Sequence, residues 1–201
     1  MVWHTASVLQ RVCVYCGSSP GFDPQFAQQA DALGRRLAAE GLGLVYGGGK
    51  VGLMGIVADG VLAGGGEVVG IIPEALAAKE LAHPGLTELL VVSSMHERKA
   101  LMEQRADGFV AMPGGFGTYD ELFEILTWAQ LGEHDKPVVL FDIADFYAPL
   151  FALIQRAVGS GFLKPQHAAL ATRALDLDEV VAALRQPPAP ALPKWLGPSQ
   201  I

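Results

Sequence analysis

Short apolar runs alternate with stretches of helical periodicity along most of the chain. A short apolar run bounded by turn residues is typical of a buried strand, and regular alternation with helices indicates βα units and a mostly parallel sheet. The runs typical of strands cover residues 11–16, 42–46, 68–72, 89–92, 108–112, 137–141 and 171–174. The pattern therefore predicts an α/β fold with a mostly parallel sheet of about seven strands flanked by helices.

The helical stretches carry start and stop signals. The first is the best marked, because Asp23 is a preferred N-terminal cap, Pro24 suits the first turn and Gly41 follows the end. Further helices are predicted at residues 53–63, 95–105, 119–131, 147–158 and 178–185. No linker interrupts this block, so residues 1–185 are predicted to form a single domain. The proline-rich stretch 186–201 cannot form a regular helix and is expected to be an extended tail.

Composition narrows the possible functions. Apolar residues make up 51% of the 201 residues and charged residues 17%, which allows a sizeable core and leaves room for an oligomer interface. The formal net charge of −7 argues against nucleic-acid polymers, whose binding rests on many contacts of lysine and arginine with phosphates. The apolar runs are too short for a membrane span, and the N-terminus lacks the layout of a secretory signal. We therefore expect a cytoplasmic protein with no membrane partner.

The cysteines and histidines do not indicate a metal site. Cys13 and Cys16 lie three apart in a predicted strand and so face opposite ways, which favours two core cysteines in a reducing compartment. The five histidines are scattered, with no pair at metal-ligand spacing on one predicted helix. The G-x-S-x-G motif of serine hydrolases is absent from the sequence.

The richest candidate segment for chemistry is residues 112–121, which follow a predicted strand and open a predicted helix. Gly114, Gly115 and Gly117 permit positive φ angles and a close approach of the backbone to a ligand. Amide groups exposed at a helix N-terminus favour an anion, and a monophosphate fits that description. A tight turn without a ligand explains the same spacing equally well.

Glu121 has two interpretations. With Thr118 it forms the T-x-x-E pattern of a capping box, in which the glutamate folds back onto the start of the helix, and spacing alone favours this structural role. The same position puts a carboxylate about one helical turn from the predicted phosphate site. There it would stabilise the oxocarbenium-like centre that forms when a ribose–base bond breaks, or position the attacking water.

A second capping pattern, Ser94-x-x-Glu97, places Arg98 and Lys99 near the start of the predicted helix 95–105. Cations there oppose the helix dipole, so the position is unfavourable unless an anion compensates. The fork of an arginine suits a phosphate or a carboxylate. A solvated basic pair or an internal ion pair accounts for the pattern equally well.

A third glycine-rich turn follows the second predicted strand. Gly47, Gly49 and Gly52 match G-x-G-x-x-G, but the next strand ends on apolar residues rather than the acidic residue of a dinucleotide site. Lys50 is not followed by serine or threonine, which disfavours a triphosphate loop. We interpret this turn, together with the turn 17–19, as backbone that contributes to the same nucleotide pocket.

Taken together, these segments resemble the LOG family, the cytokinin riboside 5′-monophosphate phosphoribohydrolases, which older annotation often labels lysine decarboxylases. The resemblance covers roughly residues 12–162. It rests on residues 113–121, which match PGGxGTxxE, and on Met95-His96-Glu97-Arg98-Lys99-Ala100. It implies a Rossmann-like, doubly wound fold, a homodimer, and hydrolysis of an N6-substituted AMP to a free cytokinin base and ribose 5-phosphate. We expect this reaction to need no metal or organic cofactor.

The resemblance also assigns residues. Arg98 and Glu121 match the catalytic pair of the family. The positions expected to contact substrate are Glu80, Arg98, Lys99, Gly114, Gly115, Phe116, Gly117, Thr118, Tyr119, Asp120 and Thr127. To these we add the turn residues and the start of the second motif, namely Ser18, Gly47, Gly48, Gly49 and Met95. The sequence departs from the plant pattern at Asp120, where those members commonly carry glutamate, and it matches least well around Glu80.

The lysine decarboxylase label fails on chemistry, and two alternatives to the phosphoribohydrolase remain. A lysine decarboxylase normally needs pyridoxal phosphate on a Schiff-base lysine, and no lysine here has an evident apolar pocket. A broader nucleosidase would act on AMP or other nucleoside 5′-monophosphates. A non-catalytic carrier of a nucleotide or of molybdopterin cofactor would bind its ligand without releasing a base and would not need Glu121.

Overall fold

A computed structural model describes residues 9–79 and 81–186 of the chain. Its centre is one sheet of seven parallel strands in the order β4-β3-β2-β1-β5-β6-β7. The strands are β1 Arg11–Tyr15, β2 Gly43–Tyr46, β3 Val68–Pro73, β4 Glu88–Val92, β5 Gly108–Ala111, β6 Val138–Phe141 and β7 Ala171–Ala174. Every predicted strand is confirmed to within one residue at each end. The sheet is wholly parallel, where the sequence predicted a mostly parallel one.

Helices cover both faces of the sheet, so the fold is doubly wound as expected. They are α1 Pro24–Ala39, α2 Gly52–Ala63, α3 Glu74–Ala77, α4 Met95–Arg105, α5 Phe116–Leu131, α6 Ala148–Gly159, α7 Pro165–Ala168 and α8 Leu177–Arg185, with a 3₁₀ turn at Ile143–Asp145. The capping of α1 is confirmed, because Gln25 N donates to Oδ1 of Asp23 (2.8 Å) and Gly41 has a φ of 70°. The four-residue helices α3 and α7 were not predicted, since they are too short to show a periodic pattern.

Two apolar clusters lie on opposite faces of the sheet. Helices α1, α2 and α8 pack on one face, and α4, α5 and the start of α6 pack on the other. As predicted, Cys13 and Cys16 lie in different clusters, and both are free and buried. Helices α1 and α2 can approach closely because Gly60 has no side chain. A Cβ at this position would lie 2.7 Å from the carbonyl oxygen of Asp31, which is too close. In the described part of the chain, no helix is both long and apolar enough to cross a membrane.

Strand order fixes where a ligand would bind. Strands β1 to β4 progress towards one edge, and β5 then returns to the opposite side of β1. The loops that follow β1 and β5 therefore diverge from a topological switch point at the carboxyl ends of the strands, where open α/β sheets bind their ligands. The predicted tail 186–201 is described only at Gln186, the residue that follows the end of α8, and the rest of the tail lies outside the described residues.

Candidate active site

Three glycine-containing loops meet at this switch point. Gly17 N, after β1, donates to the carbonyl oxygen of Pro113, after β5 (3.0 Å), and Leu53 N at the start of α2 donates to Gly17 O (3.0 Å). Gly52 has a φ of 61° and lies against the backbone of Ser18, where a Cβ would overlap it. The structure thus brings together the turns that the sequence assigned to one pocket.

The loop after β5 differs from its prediction in two ways. Helix α5 begins at Phe116 rather than at 119, and Gly115 is its N-cap. The expected positive φ angles are wrong, because Gly114, Gly115 and Gly117 all lie outside the left-handed region. Gly114 is required instead for close packing, since a Cβ there would overlap Oγ1 of Thr118. Gly115 and Gly117 are exposed and face open space, so the first amide groups of α5 are accessible to an anion.

Glu121 is not part of a capping box, so the interpretation that spacing favoured is wrong. Because α5 starts three residues earlier than predicted, Glu121 lies in the second turn and points towards the sheet. There its carboxylate pairs with Arg98, with Oε1 2.8 Å from Nη1, and both residues are 8% exposed. Thr118 is also buried and packs against Gly114 instead of capping the helix.

Arg98 is held from three sides. Its Nε donates to the carbonyl oxygen of Ile71 in β3 (3.1 Å), and Nη1 pairs with Glu121. Nη2 lies against Gly47, at which a Cβ would overlap it. A buried charge pair is stable only when its remaining polar atoms are also satisfied. These contacts fix the guanidinium beside the Glu121 carboxylate.

The protonation of Glu121 reflects this environment. Burial raises the pKa of the Glu121 carboxyl above its ordinary value, and the charge of Arg98 opposes that shift. A carboxyl with a raised pKa can exchange a proton closer to neutral pH than an exposed one. The pair therefore has the properties of an acid–base or charge-stabilising group rather than of a surface ion pair.

Helix α4 carries Arg98 and begins as predicted. Glu97 N donates to Oγ of Ser94 (3.1 Å), and the Glu97 carboxylate accepts hydrogen bonds from N (2.9 Å) and Oγ (2.7 Å) of Ser93. The reciprocal half of the capping box thus reaches one residue further back than the standard pattern. The helix spans residues Met95–Arg105, as expected from the sequence.

Lys99 joins α4 to α5. Its Nζ lies 3.0 Å from Oδ2 of Asp120 and 3.1 Å from Oε1 of Glu124, and its side chain is largely buried. Two residues predicted to contact substrate, Lys99 and Asp120, are therefore paired with each other beside Glu121. Of the structural interpretations given for Lys99, these contacts support the internal ion pair.

The other predicted substrate contacts fall into two groups. Ser18, Gly48, Gly49, Met95 and Tyr119 lie on the loops or first turns around the switch point. Thr127 does not, because it lies about 16 Å along α5 from Phe116 at 1.5 Å per residue. Its hydroxyl donates to the carbonyl oxygen of Phe123 (2.6 Å) and its side chain is exposed. Glu80 lies outside the described residues.

A cavity of about 280 Å³ opens beside the glycine loops on the α1 side. It is lined by Gly17, Ser18, Ser19, Pro20, Gly21, Phe26, Leu53, Pro113, Gly114, Gly115 and Phe146. Sequence reasoning did not identify Phe146, which follows a turn where Ala144 and Asp145 are both left-handed. The neighbouring Tyr147 was also missed as a site residue, although its hydroxyl donates to Met112 O (2.7 Å) at the start of the glycine loop. No sequence motif marks either aromatic residue.

The described residues do not include any group of three histidine, cysteine or acidic side chains placed to hold a metal ion. What the site does contain is a buried arginine–glutamate pair, open amide groups at a helix N-terminus and an adjoining cavity. This combination can bind an anion and place a carboxylate beside the group that carries it.

Solved structures with this fold include two proteins that bind molybdenum cofactor. The molybdenum cofactor binding protein of Rippkaea orientalis aligns with a TM-score of 0.65 and 21% identity, over 88% of this chain and 95% of its own. The molybdenum cofactor carrier protein of Chlamydomonas reinhardtii aligns with a TM-score of 0.67 and 21% identity, over 89% and 97%. At this level of identity the similarity establishes the Rossmann-like fold alone.

Comparison with curated proteins is more specific. A family model described as "Possible lysine decarboxylase" matches residues 54–184. The cytokinin riboside 5′-monophosphate phosphoribohydrolase of Rhodococcoides fascians is 48% identical over 88% of this chain and 89% of its own length. A protein of the same name in Arabidopsis thaliana is 43% identical over 90% and 84%. The chain therefore belongs to the LOG family of phosphoribohydrolases.

Proposed function

We propose that this protein is a phosphoribohydrolase that cleaves the N-glycosidic bond of N6-substituted AMP, a cytokinin riboside 5′-monophosphate. The products are the free cytokinin base and ribose 5-phosphate. The observation that carries the proposal is the buried pair of Arg98 and Glu121 beside the open N-terminus of α5. The names of relatives that are nearly half identical over most of the chain support the substrate class.

The geometry supports one role for each part of the site. The amides at the start of α5 hold the 5′-phosphate, because the helix dipole and unpaired N–H groups favour a dianion. The ribose then lies towards the second turn, where Glu121 stabilises positive charge at C1′ or orients the water. The water oxygen bonds to C1′, the bond from C1′ to the base nitrogen breaks, and the water proton balances the charge of the leaving base. Arg98 binds substrate oxygens and keeps the Glu121 carboxylate in place.

The substrate contacts that the sequence assigned remain part of this proposal. They are Ser18, Gly47, Gly48, Gly49, Glu80, Met95, Arg98, Lys99, Gly114, Gly115, Phe116, Gly117, Thr118, Tyr119, Asp120 and Thr127. No metal or organic cofactor has a role in it. A decarboxylase would need an uncharged lysine amine for a Schiff base, whereas Nζ of Lys99, the lysine beside the pair, is bonded to two carboxylates.

The decisive experiment replaces Glu121 with glutamine and follows base release by chromatography. Glu121→Gln keeps the size of the side chain but removes its charge, so we expect turnover to be abolished and nucleotide binding to be retained. Glu124→Gln is the matched control one turn further along α5, and it should remain active because Asp120 still pairs with Lys99. Full activity of Glu121→Gln would reduce this residue to a structural role.

The alternative activities are separated by the same assay. Equal rates with AMP and N6-isopentenyl-AMP would indicate a broader nucleoside monophosphate nucleosidase. Ligand binding without release of base by the unaltered protein would indicate a carrier, the function named for the structural neighbour from Chlamydomonas reinhardtii. The buried Arg98–Glu121 pair favours the hydrolase, since a carrier has no need of a carboxylate at the sugar.

We further infer that the enzyme is a homodimer formed through α5. Apart from Gly117, the exposed residues on this helix follow one stripe of Phe116, Asp120, Phe123, Thr127 and Leu131. Three of the five are large apolar residues, a pattern typical of an interface. The inference also accounts for Thr127, which is remote from the glycine loop of its own chain and would reach substrate only across such an interface.

The remaining predictions concern the setting of this activity. A single domain over residues 1–185 with a tail from 186, and a cytoplasmic location, are part of the proposal. The two buried free cysteines support a reducing compartment. No nucleic-acid or membrane partner is proposed.

A further inference from the structure

The segment between α3 and β4 is hydrogen-bonded to the glycine turn that follows β2. His83 N donates to the carbonyl oxygen of Gly48 (2.9 Å), and Lys50 N donates to that of Leu81 (2.9 Å). Between these two bonds lies an isolated antiparallel bridge. We call residues 81–85 the covering segment. Its backbone forms a short two-stranded pairing with the turn whose first glycine lies against the buried arginine.

The side chain of His83 makes two further hydrogen bonds that hold the covering segment in place. Gly85 N donates to Nδ1 (3.1 Å), so in the neutral ring the proton is on Nε2. Nε2 lies 3.0 Å from Oδ1 of Asp59, to which it donates. His83 is buried, whereas the Asp59 side chain is 71% exposed on α2, the helix that begins directly after the glycine turn. One imidazole therefore joins the covering segment to its own bend and to that helix.

These contacts bear on the catalytic pair through one short path. The guanidinium of Arg98 is bounded by Gly47 on one side and by Ile71 O and Glu121 on the others. If the covering segment detaches, the glycine turn loses the hydrogen bonds that hold it in place. The guanidinium of Arg98 then loses its contact with Gly47. Misplacement of a reacting group by about 1 Å can lower a rate by roughly 100-fold.

We propose that His83 is a positioning residue for N-glycosidic hydrolysis, with Asp59 as its partner. It acts through the covering segment and the glycine turn to hold Arg98 against Glu121. The role rests on the proposed function, because the reaction it serves is the one assigned to that pair. His83 itself is not placed at the substrate; it supports the backbone that supports the arginine.

Variants can separate the two hydrogen bonds of the imidazole. His83→Asn retains a polar atom at the position of Nδ1 for Gly85 but does not reach Asp59, while His83→Gln reaches Asp59 and loses the acceptor for Gly85. Asp59→Ala removes the exposed partner of Nε2, so it tests the hydrogen bond between His83 and α2 without altering the core. The matched control is Asp31→Ala on the neighbouring helix α1, which removes an exposed carboxylate that pairs with Arg35 (2.8 Å).

The measurements are kcat and KM for AMP and N6-isopentenyl-AMP, the thermal midpoint, and the ¹⁵N-resolved Nε–H resonance of Arg98. We expect kcat to fall roughly 10-fold in Asp59→Ala and His83→Asn, with a smaller effect in His83→Gln and none in the control. The Nε–H proton of Arg98 should exchange faster with water in Asp59→Ala and His83→Asn, because its hydrogen bond to Ile71 O is weakened.

The outcomes distinguish this proposal from the proposed function. A lower thermal midpoint with unchanged kcat and an unchanged Nε–H resonance would show that His83 is merely structural. If the unaltered protein releases no base, the proposed function fails, and the Nε–H resonance still decides whether His83 positions Arg98.

Discussion

The atoms around Arg98 leave no space for a side chain at position 47. The obstructing atoms belong to the far end of a flexible side chain, so Gly47→Ala should displace the guanidinium from Glu121 rather than unfold the turn. We expect kcat to fall roughly 10-fold or more, with little change in the thermal midpoint. Steady-state kinetics and calorimetry on the same preparation measure both quantities.

A glycine without neighbours provides the control for this substitution. Gly159 ends α6, and apart from its chain neighbours and the backbone of its own helix no atom lies within 4 Å of the place that a Cβ would occupy. Gly159→Ala should therefore leave both activity and stability close to those of the unaltered protein. A Gly47→Ala enzyme with full activity would show that contact with the glycine turn does not hold Arg98 in place.

His134 makes the stability of the fold depend on pH. Its Nε2 lies 2.9 Å from the carbonyl oxygen of Ile125, and its Nδ1 accepts a hydrogen bond from Lys136 N (3.1 Å), so the ring is neutral with its proton on Nε2. Burial lowers the pKa of His134 below its ordinary value. Below about pH 6.5 the unfolded chain therefore binds a proton that the folded chain does not, and stability falls as pH falls.

Urea unfolding at about pH 8 and about pH 5 tests this dependence. His134→Gln retains a donor for Ile125 O but does not titrate, so its free energy of unfolding should fall less over that interval than that of the unaltered protein. Equal losses in the two proteins would assign the pH dependence to other groups.

Individual candidate residues were easier to find in the sequence than the residues with which they pair. The spacing of the R-K pair and of PGGxGTxxE marked Arg98 and Glu121, but spacing also favoured a capping role for Glu121 that the structure contradicts. The pairing depends on how α4 and α5 lie across β3, which local sequence does not encode. Phe146 and Tyr147 were missed for the same reason, since only the fold brings them to the glycine loop.

At the scale of elements, patterns of apolar residues located all seven strands and most helices, and their errors have physical causes. The start of α5 was placed too late because Thr118 resembles a cap and glycine is a poor helix former, which disfavoured a helix through Gly117. Tertiary contacts override these preferences, among them the hydrogen bond from Gly17 N to Pro113 O. Helices α3 and α7 are single turns whose stability comes from packing rather than from a repeat.

The cap of α4 gives a prediction at this scale. Ser94→Ala removes the acceptor for Glu97 N and should lower the free energy of unfolding by about 1 kcal/mol. Because the first turns of α4 carry Arg98, we also expect kcat to fall. Asp176→Ala removes the equivalent cap of α8, where Oδ1 accepts from Glu179 N (2.8 Å), and should cost similar stability while kcat is unchanged.

Denaturant unfolding and kinetics on these two variants separate helix stability from catalytic geometry. If both variants lower kcat equally, the loss reflects general stability. If neither does, the position of Arg98 is set by β3 and α5 rather than by the start of its own helix.

At the scale of the whole molecule, the sequence predicted a sheet between two layers of helices but not the order of the strands in that sheet. Alternating strands and helices fit several strand orders, and only the observed order places the loops after β1 and β5 side by side. The same fold occurs in the cofactor-binding proteins, so the fold alone does not determine the activity. The proposed hydrolysis depends instead on the charge pair of Arg98 and Glu121, which this strand order buries beside the glycine loop after β5.

The exposed stripe on α5 predicts how the whole molecule assembles. Phe123 lies near the middle of the exposed stripe on α5 and is 45% exposed in the single chain. If two copies meet through this stripe, Phe123→Glu buries a charge against apolar residues, and we expect sedimentation to show one chain where the unaltered protein shows two. Leu153→Glu changes a more exposed apolar residue on α6 and should leave the dimer intact. Because Thr127 belongs to the stripe, the Phe123→Glu monomer should also bind substrate more weakly. A dimer that survives Phe123→Glu but not Leu153→Glu would move the interface to α6 and remove Thr127 from the site.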